Sequence, residues 1–580
     1  MKKILALIIV LCIIAAGLWY FQQPPAVRIG ASEYLPRETL FVIEIHELEK
    51  AIKEFKESRL GKNLGSIDIA GLMEQLGAKE EDVERYREGE ERFFSALDSR
   101  GTMELFGKEL HLALLPVGDS LEKPEDFLEK IMIIAYPKRN PDFLEVAGAF
   151  FTEDSNIEES AYEGHTIKSI KGEDDLSMHY CFTEGIMLAS FGMDPIKGAL
   201  DRRKSGEENL SANDEYRDLR QKVFKPRSRT FAYLNIGKIG EDLKSLVLAK
   251  IPQGEGGDKE KAALEKQLDS YGGFKSVAYS SYGREGDELS EKVLITLDGS
   301  KLTAGQKASY LVKPGENNTL SMIPGKTIFY NWANNLEIKH SLNDYLFREG
   351  MTEEGMAALN KKIEEIAGAT IDEIDETLGG EIAIMITDVK TGGLFPVPVF
   401  ALMAQVKGTE LVEDLILSLV SRSGMALEKE VHESVEIKHL MLPFGSDIQP
   451  AYTFYDGFWI VAVNPGLIKE MMAAKKSGRG ISSEEIFKSV DKGLSGKNNS
   501  ISYIRMDQVA EKMGHLAQWG KNMLTMESPE AAEKGGLIVK HLVDPFLEGL
   551  KMYKAIGTRT FIEGETIEVD SYCKVESKVL

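Results

Sequence analysis

The chain has 580 residues, enough for two sizeable hydrophobic cores, and its 93 acidic against 70 basic side chains give a formal net charge of -23. That balance excludes nucleic acid as a partner, because phosphates would be repelled, and it excludes broad electrostatic adhesion to anionic lipid. With Cys12, Cys181 and Cys573 as the only cysteines, no disulfide framework is expected, so stability has to come from core burial.

The first element is the apolar run Ile4 to Phe21, preceded by Lys2 and Lys3. About 18 such residues reach the lower limit for a membrane-spanning helix. The lysines ahead of it predict a single-pass signal anchor over residues 1–22, amino terminus inside, with the bulk in the periplasm or outside the cell. Trp19, Tyr20 and Phe21 suit an outer aromatic belt. A cleaved signal peptide is disfavoured by the bulky Leu18-Trp19-Tyr20 that follows the small residues Ala15-Ala16-Gly17. Residues 23–33, with Gln22-Gln23-Pro24-Pro25 at the start, form a semi-extended linker.

A first module is expected over 34–300. Thr39 to Ile45 reads as a buried strand, and Leu48, Ala51, Ile52 and Phe55 recur at helical spacing. An acidic helical stretch follows over 68–97, then strands over 109–115 and 131–136, and a helix over 141–151. His165 to Ile170 and a hairpin through Glu184-Gly185 supply further strands. Asp194-Pro195 has the chemistry of an N-cap with proline at the first helical position, and Ser211 with Asp214 resembles a capping box. The strand Phe231 to Ile236 precedes a closing hairpin of Val277–Tyr282 with Lys292–Leu297. Residues 301–320, rich in turn formers around Pro314-Gly315, read as a linker.

The second module, 321–580, repeats the first. Leu35-Pro36-Arg37-Glu38-Thr39-Leu40-Phe41 returns as Ile323-Pro324-Gly325-Lys326-Thr327-Ile328-Phe329, and Lys204-Ser205-Gly206 as Lys476-Ser477-Gly478. Asn464-Pro465, Ser482 with Glu485, the strand Ile501–Met506 and the hairpin Tyr553–Phe561 with Thr566–Cys573 complete the parallel. The spacing falls from about 288 to about 270 residues, which places roughly eighteen extra residues in the acidic stretch of the first copy. Strict strand–helix alternation is absent. The expected class is therefore α+β: two tandem homologous modules, each a mainly antiparallel sheet with helices packed on one face, behind an amino-terminal transmembrane helix.

The anchor, the Leu-Pro-x-x-Thr-Leu-Phe strand, the amphipathic helix and Ser58-Arg59-Leu60-Gly61-Lys62 together resemble an uncharacterised family of membrane-anchored bacterial envelope proteins, a domain of unknown function. The resemblance implies an anchored, duplicated α+β ectodomain and carries over no catalytic residue. Phe347-Arg348-Glu349-Gly350 replaces the Ser-Arg-Leu-Gly-Lys element in the second copy.

A duplicated catalytic constellation should appear twice, and none does. Gly325-Lys326-Thr327 ends like a phosphate loop, but Leu320 stands where the first glycine belongs and Pro324 removes an amide, so it reads as a turn. His432, Glu433 and His439 are the metal-ligand candidates, although the sequence around them is strand-like and lacks a second histidine at helical spacing. The acids around Asp372 and Glu80 read as solvated helix faces. The apolar Leu394 to Phe400 and Phe458-Trp459-Ile460 read as core, with a lipid or peptide groove as the competing use. No cofactor is expected. The functional expectation is a non-enzymatic envelope protein bound to the inner membrane, binding a protein partner or assisting assembly. The alternatives are a carrier or sensor of a lipid, or an enzyme with its site in one module.

Overall fold

The computed structural model describes residues 30–117, 127–138, 157–171, 177–206, 208–250, 261, 265, 272–285, 287–336, 353–391, 393, 395–442, 445 and 447–576. The chain divides into two compact units, one running to Lys301 and the other spanning Leu302–Glu576. No helix among the described residues is long and apolar enough to cross a membrane. The expected anchor over 1–22 and the expected helix over 141–151 lie outside them.

Among the described residues the first unit is built on ten strands: β1 (Phe41–His46), β2 (Glu109–Leu114), β3 (Ile131–Ala135), β4 (Ile157–Tyr162), β5 (His165–Lys171), β6 (Ser177–Thr183), β7 (Ile186–Ser190), β8 (Ser228–Leu234), β9 (Phe274–Glu285) and β10 (Glu288–Leu297). Every pairing is antiparallel, in the order β4-β5-β6-β7-β3-β2-β1-β8-β9-β10. The central β1 is buried along nearly its whole length, which its apolar run dictates. Val42 faces a core closed by Ile196 and Ala199 of the helix Met193–Ser205 and by Leu219 and Val223 of the helix Asp214–Val223. Ile43 and Ile45 point the other way, with Leu48 and Leu105 of the helices Leu48–Glu57 and Arg100–Phe106. Helices thus lie on both faces here, not on one. The single acidic helix expected over 68–97 is two, Ile69–Gln75 and Glu80–Asp98, separated at Gly77, whose φ is 83°.

The second unit holds β11 (Phe329–Ala333), β12 (Leu378–Lys390), β13 (Val397–Val406), β14 (Leu427–His432), β15 (Val435–Leu440), β16 (Ala451–Tyr455), β17 (Phe458–Ala462), β18 (Ser500–Ile504), β19 (Tyr553–Glu563) and β20 (Thr566–Val575). These too pair antiparallel throughout, in the order β14-β15-β16-β17-β13-β12-β11-β18-β19-β20. The core joins Trp332, Met385, Met403 and Ile460 to Ile468 and Met471 of the helix Pro465–Ser477. Much of the expected linker is folded. Thr303 and Gln306 form a capping box for the helix Ala304–Tyr310, and Gly315 exchanges backbone hydrogen bonds of 2.9 and 3.0 Å with Asn498.

Local chemistry explains where helices begin. Asn464 caps its helix through Leu467 N–H, with Pro465 at the first position, as expected. Asp194 does not: the helix starts two residues earlier, at Met193, its cap is Gly192, and Asp194 sits inside the first turn. The expected capping boxes at Ser211 and Ser482 are also absent. Asn213 caps the helix Asp214–Val223 through Glu215 and Tyr216 N–H, while the helix Glu485–Val490 follows Glu484 with no side-chain cap. In both places the preceding residues form a 3-10 turn, Leu210–Ala212 and Ile481–Ser483, which moves the helix start.

The turn between β14 and β15 carries one correctable strain. Glu433 and Ser434 both adopt positive φ, 49° and 68°, whereas the corresponding turn between β4 and β5 uses Glu163 and Gly164, at 47° and 84°. A side chain in this left-handed region costs roughly 1–2 kcal/mol relative to glycine. Ser434→Gly is expected to stabilise the second unit by about 1 kcal/mol, seen as a higher urea midpoint in tryptophan fluorescence.

Candidate binding cleft and buried ionic network

At one end of the second sheet the strands part. β15 and β16 pair only at Lys438↔Tyr452 and His439↔Ala451, and β17 leaves β13 after Ala401↔Ala462. The β12–β13 hairpin continues beyond that point to Lys390↔Val397. Val463 N–H bonds the Phe400 carbonyl at 3.1 Å, and the chain then turns into the capped helix at Pro465. Alternation puts Pro398 on the same free edge as Phe400, where its missing N–H blocks further strand pairing.

An open cleft of about 460 Å³ lies there, within the size range of small-molecule sites. Its wall is charged in both signs. Lys326 bonds Glu470 at 2.9 Å, Lys390 bonds Asp447 at 2.6 Å, and Lys469 bonds Glu430 Oε2 at 2.8 Å. Burial pushes the Asp388 carboxyl up, but the Lys512 ammonium at 2.7 Å and the Val389 N–H outweigh it and hold the group below its usual range. Two wall atoms are buried without hydrogen-bond partners: Glu430 Oε1 and His439 Nδ1. Register explains their proximity. Glu430 opposes Ile437 and Glu428 opposes His439, so all four share one face of the β14–β15 hairpin.

Of the three metal-ligand candidates, His439 alone lines this cleft; it is 9% exposed, with Nε2 3.7 Å from Glu428 Oε2. His432 opposes Val435 at the hairpin turn, four residues and about 13 Å along the strand from His439. Glu433, in the turn, bonds Lys476 at 2.6 Å, and that bond lowers its carboxyl pKa. The structure does not bring the three together. Among the described residues no group of three or more His, Cys, Asp or Glu side chains is placed to hold a metal ion.

Other motifs resolve into structure. Gly325-Lys326-Thr327 is a turn, closed by Thr327 Oγ1 on the Pro324 carbonyl at 2.7 Å. Val399, Phe458 and Ile460 belong to the core, while Phe395 is 64% exposed. Asn498, in the sequon Asn498-Asn499-Ser500, is fully buried, and its amide donates to three carbonyls. Asn317, in the similar sequence Asn317-Asn318-Thr319, is half-buried and bonds Tyr330 and Thr319.

The first unit contains a second cluster that sequence reasoning missed. Glu44-Ile45-His46 on β1 and Glu109-Leu110-His111 on β2 are two Glu-x-His motifs whose register sets Glu44 opposite His111 and His46 opposite Glu109. Period two puts all four side chains on one face. They are 2%, 5%, 8% and 4% exposed for Glu44, His46, Glu109 and His111. His111 Nε2 lies 2.7 Å from Glu109 Oε1, and His46 lies 3.7 Å from both Glu44 and Glu109. Arg220 grips Glu44 through two nitrogens at 2.8 and 3.2 Å, and Tyr216 OH donates to it at 2.9 Å. A glutamate and a histidine two apart inside an apolar strand, twice over, was the available signal.

Burial pushes the His46 imidazolium down, but Glu109 and Glu44 outweigh it and raise its pKa to about 9. Burial raises the Glu109 carboxyl, yet His111 and His46 pull it to about 2. Glu44 is likewise held well below the carboxylate range, by Arg220 against burial. Two carboxylates thus face Arg220 and the two histidines in a largely buried network.

A consequence is a stability optimum in pH. His46 titrates near 6.5 when unfolded and about 9 when folded, so its contribution is complete below 6.5 and lost as pH rises to 9. Glu109, depressed from 4.5, contributes above that value and loses its contribution as pH falls towards 2. The first unit is expected to lose roughly 3 kcal/mol between pH 6.5 and 9, with the slope absent in His46→Gln, measured by urea unfolding across pH.

No family model, no curated protein and no solved structure matches this chain.

Proposed function

We propose that the chain is a non-enzymatic binding protein of the bacterial envelope, tethered to the cytoplasmic membrane by residues 1–22, its exported body being two copies of one α+β module. In this reading recognition occurs at the cleft of the second copy. The duplication is supported position by position. The strand orders of the two units correspond along all ten strands. Thr39 and Thr327 close the same turn, on the Pro36 and Pro324 carbonyls at 2.6 and 2.7 Å. Leu210 N–H bonds Leu35 O at 2.9 Å, and Ile481 N–H bonds Ile323 O at 2.8 Å. Between β1 and β2 lie 62 residues, against 44 between β11 and β12, a difference matching the offset in sequence spacing.

The cleft residues do not recur. Glu38 stands for Lys326 in the aligned turn, and Gly192 for Asn464 at the helix cap. Ligand binding confined to one copy is what divergence after duplication would leave. The observation that carries this reading is a pair of buried, unpartnered polar atoms on the wall of an open 460 Å³ cleft. A thermal-shift screen of the full-length chain against small polar molecules tests it. At least one chemical class is expected to raise the melting temperature, and the effect should vanish in Lys326→Met/Lys390→Met. A screen without a single shift, or shifts unchanged in that variant, would contradict the reading.

A further inference from the structure

We infer that the cleft of the second unit takes a ligand bearing a primary ammonium, docked between Glu430 and His439, with oxygen acceptors elsewhere on the same molecule. The inference rests on the binding reading above and adds the ligand's chemical class.

Glu430 already gives Oε2 to Lys469, and Oε1 has no donor although it is buried. His439 directs Nε2 towards Glu428; in the tautomer with its proton there, Nδ1 keeps a lone pair and has no donor either. Leaving two buried acceptor atoms unmet is unfavourable, and a donor that reaches both removes that cost. Both side chains lie on one hairpin face as diagonal cross-strand neighbours, and both line the cleft. An ammonium, with three donors and a positive charge, meets both acceptors and still has a proton for a third oxygen.

The remainder of the wall sets the rest of the molecule. Lys326 and Lys390 each hold one acid and keep donors for ligand oxygens, while Lys469 holds Glu430. Four carboxylates, Asp388, Glu430, Asp447 and Glu470, face these three lysines, so a purely anionic ligand meets repulsion along with attraction. A molecule with amine and carbonyl, carboxylate or hydroxyl groups together matches the alternation. Neither unpartnered atom has free surface, so the ligand reaches them by displacing a wall side chain, and the Lys469 ammonium on Glu430 is the one it would compete with.

Two sources share this chemistry, the amino end of a short peptide and an amino sugar. Calorimetric titration of the full-length chain with trialanine, glucosamine and their N-acetylated forms separates them. At least one free amine is expected to bind, with its acetylated form at least tenfold weaker. Glu430→Gln and His439→Gln should each weaken the free amine by tenfold or more without changing the fold seen by circular dichroism. Equal binding of free and acetylated forms, or free-amine binding unchanged in both variants, would overturn the ammonium assignment and leave the binding reading intact. If all four probes fail while another polar molecule shifts the melting temperature, the assignment falls alone. If the whole screen is silent, both fall.

Discussion

Glu44→Ala is expected to destabilise the first unit by about 3–5 kcal/mol, because breaking a buried ion pair leaves uncompensated charge behind. Glu44 accepts from Tyr216 and twice from Arg220, and it stands beside His46 in a site 2% exposed. Its removal strands the Arg220 guanidinium, which desolvation would depress but which Glu44 holds raised. Glu44→Gln, which keeps the volume and one acceptor, should cost less. Coupling identifies the cause. Arg220→Ala should be nearly as costly as Glu44→Ala in the native background, and much cheaper once Glu44 is gone. Hydrogen exchange of the β1 and β2 amides against urea reads the loss where it occurs. A cost below 1 kcal/mol would mean that water solvates the cluster.

Trp332→Ala is expected to cost the second unit about 3–5 kcal/mol through the cavity alone. The indole is fully buried among Met385, Ile501 and the other core residues, and its Nε1 donates to Glu381 Oε2 at 2.9 Å. Among the described residues, truncation therefore also leaves a carboxylate that is 7% exposed with the Asn318 side chain and backbone as its remaining donors. Trp332→Phe keeps most of the ring volume and loses the bond, so its cost isolates the polar part, about 1–3 kcal/mol. Trp459 and Trp519, both in the second unit, remain as fluorescent reporters.

Glu381 also shows what a repeat can hide. Glu109 precedes Leu114 by the same distance as Glu381 precedes Ile386, and Leu114 and Ile386 are the partners of Phe41 and Phe329. Both acids are buried, at 8% and 7%. Yet one is answered by histidines and the other by Trp332 and Asn318, so searching for a repeated set of side chains misses it. In the proposed duplication the position is kept and the partners differ.

Strands were legible where the pattern is local. The edges of β1, β2, β3 and the closing hairpins fall within a few residues of the apolar runs that announce them. Helix starts were less so. Asp194-Pro195 has good capping chemistry, but Asp194 lies nine residues after Gly185 whereas Asn464 lies seven after Gly457, and Gly192 takes the cap. β4 went unrecognised because its exposed Ile-Glu-Glu-Ser-Ala-Tyr has no buried face to mark it. The cleft was invisible for a different reason. It is made by β12, the β14–β15 hairpin and a helix cap that are far apart in sequence, and the signals at Lys326, His439 and Asn464-Pro465 gave no reason to group them.

Shared strand order in the two units underlies every equivalence drawn above, and cross-linking tests it directly. Phe41 faces Leu234 across β1 and β8, and Phe329 faces Ile504 across β11 and β18. Facing pairs lie about 4.5–5.5 Å apart at Cα, within reach of a disulfide. In a chain with Cys12, Cys181 and Cys573 replaced, the cysteine pairs Phe41→Cys/Leu234→Cys and Phe329→Cys/Ile504→Cys should both close on mild oxidation. Closure of one pair with the other remaining as free thiols would contradict a common fold.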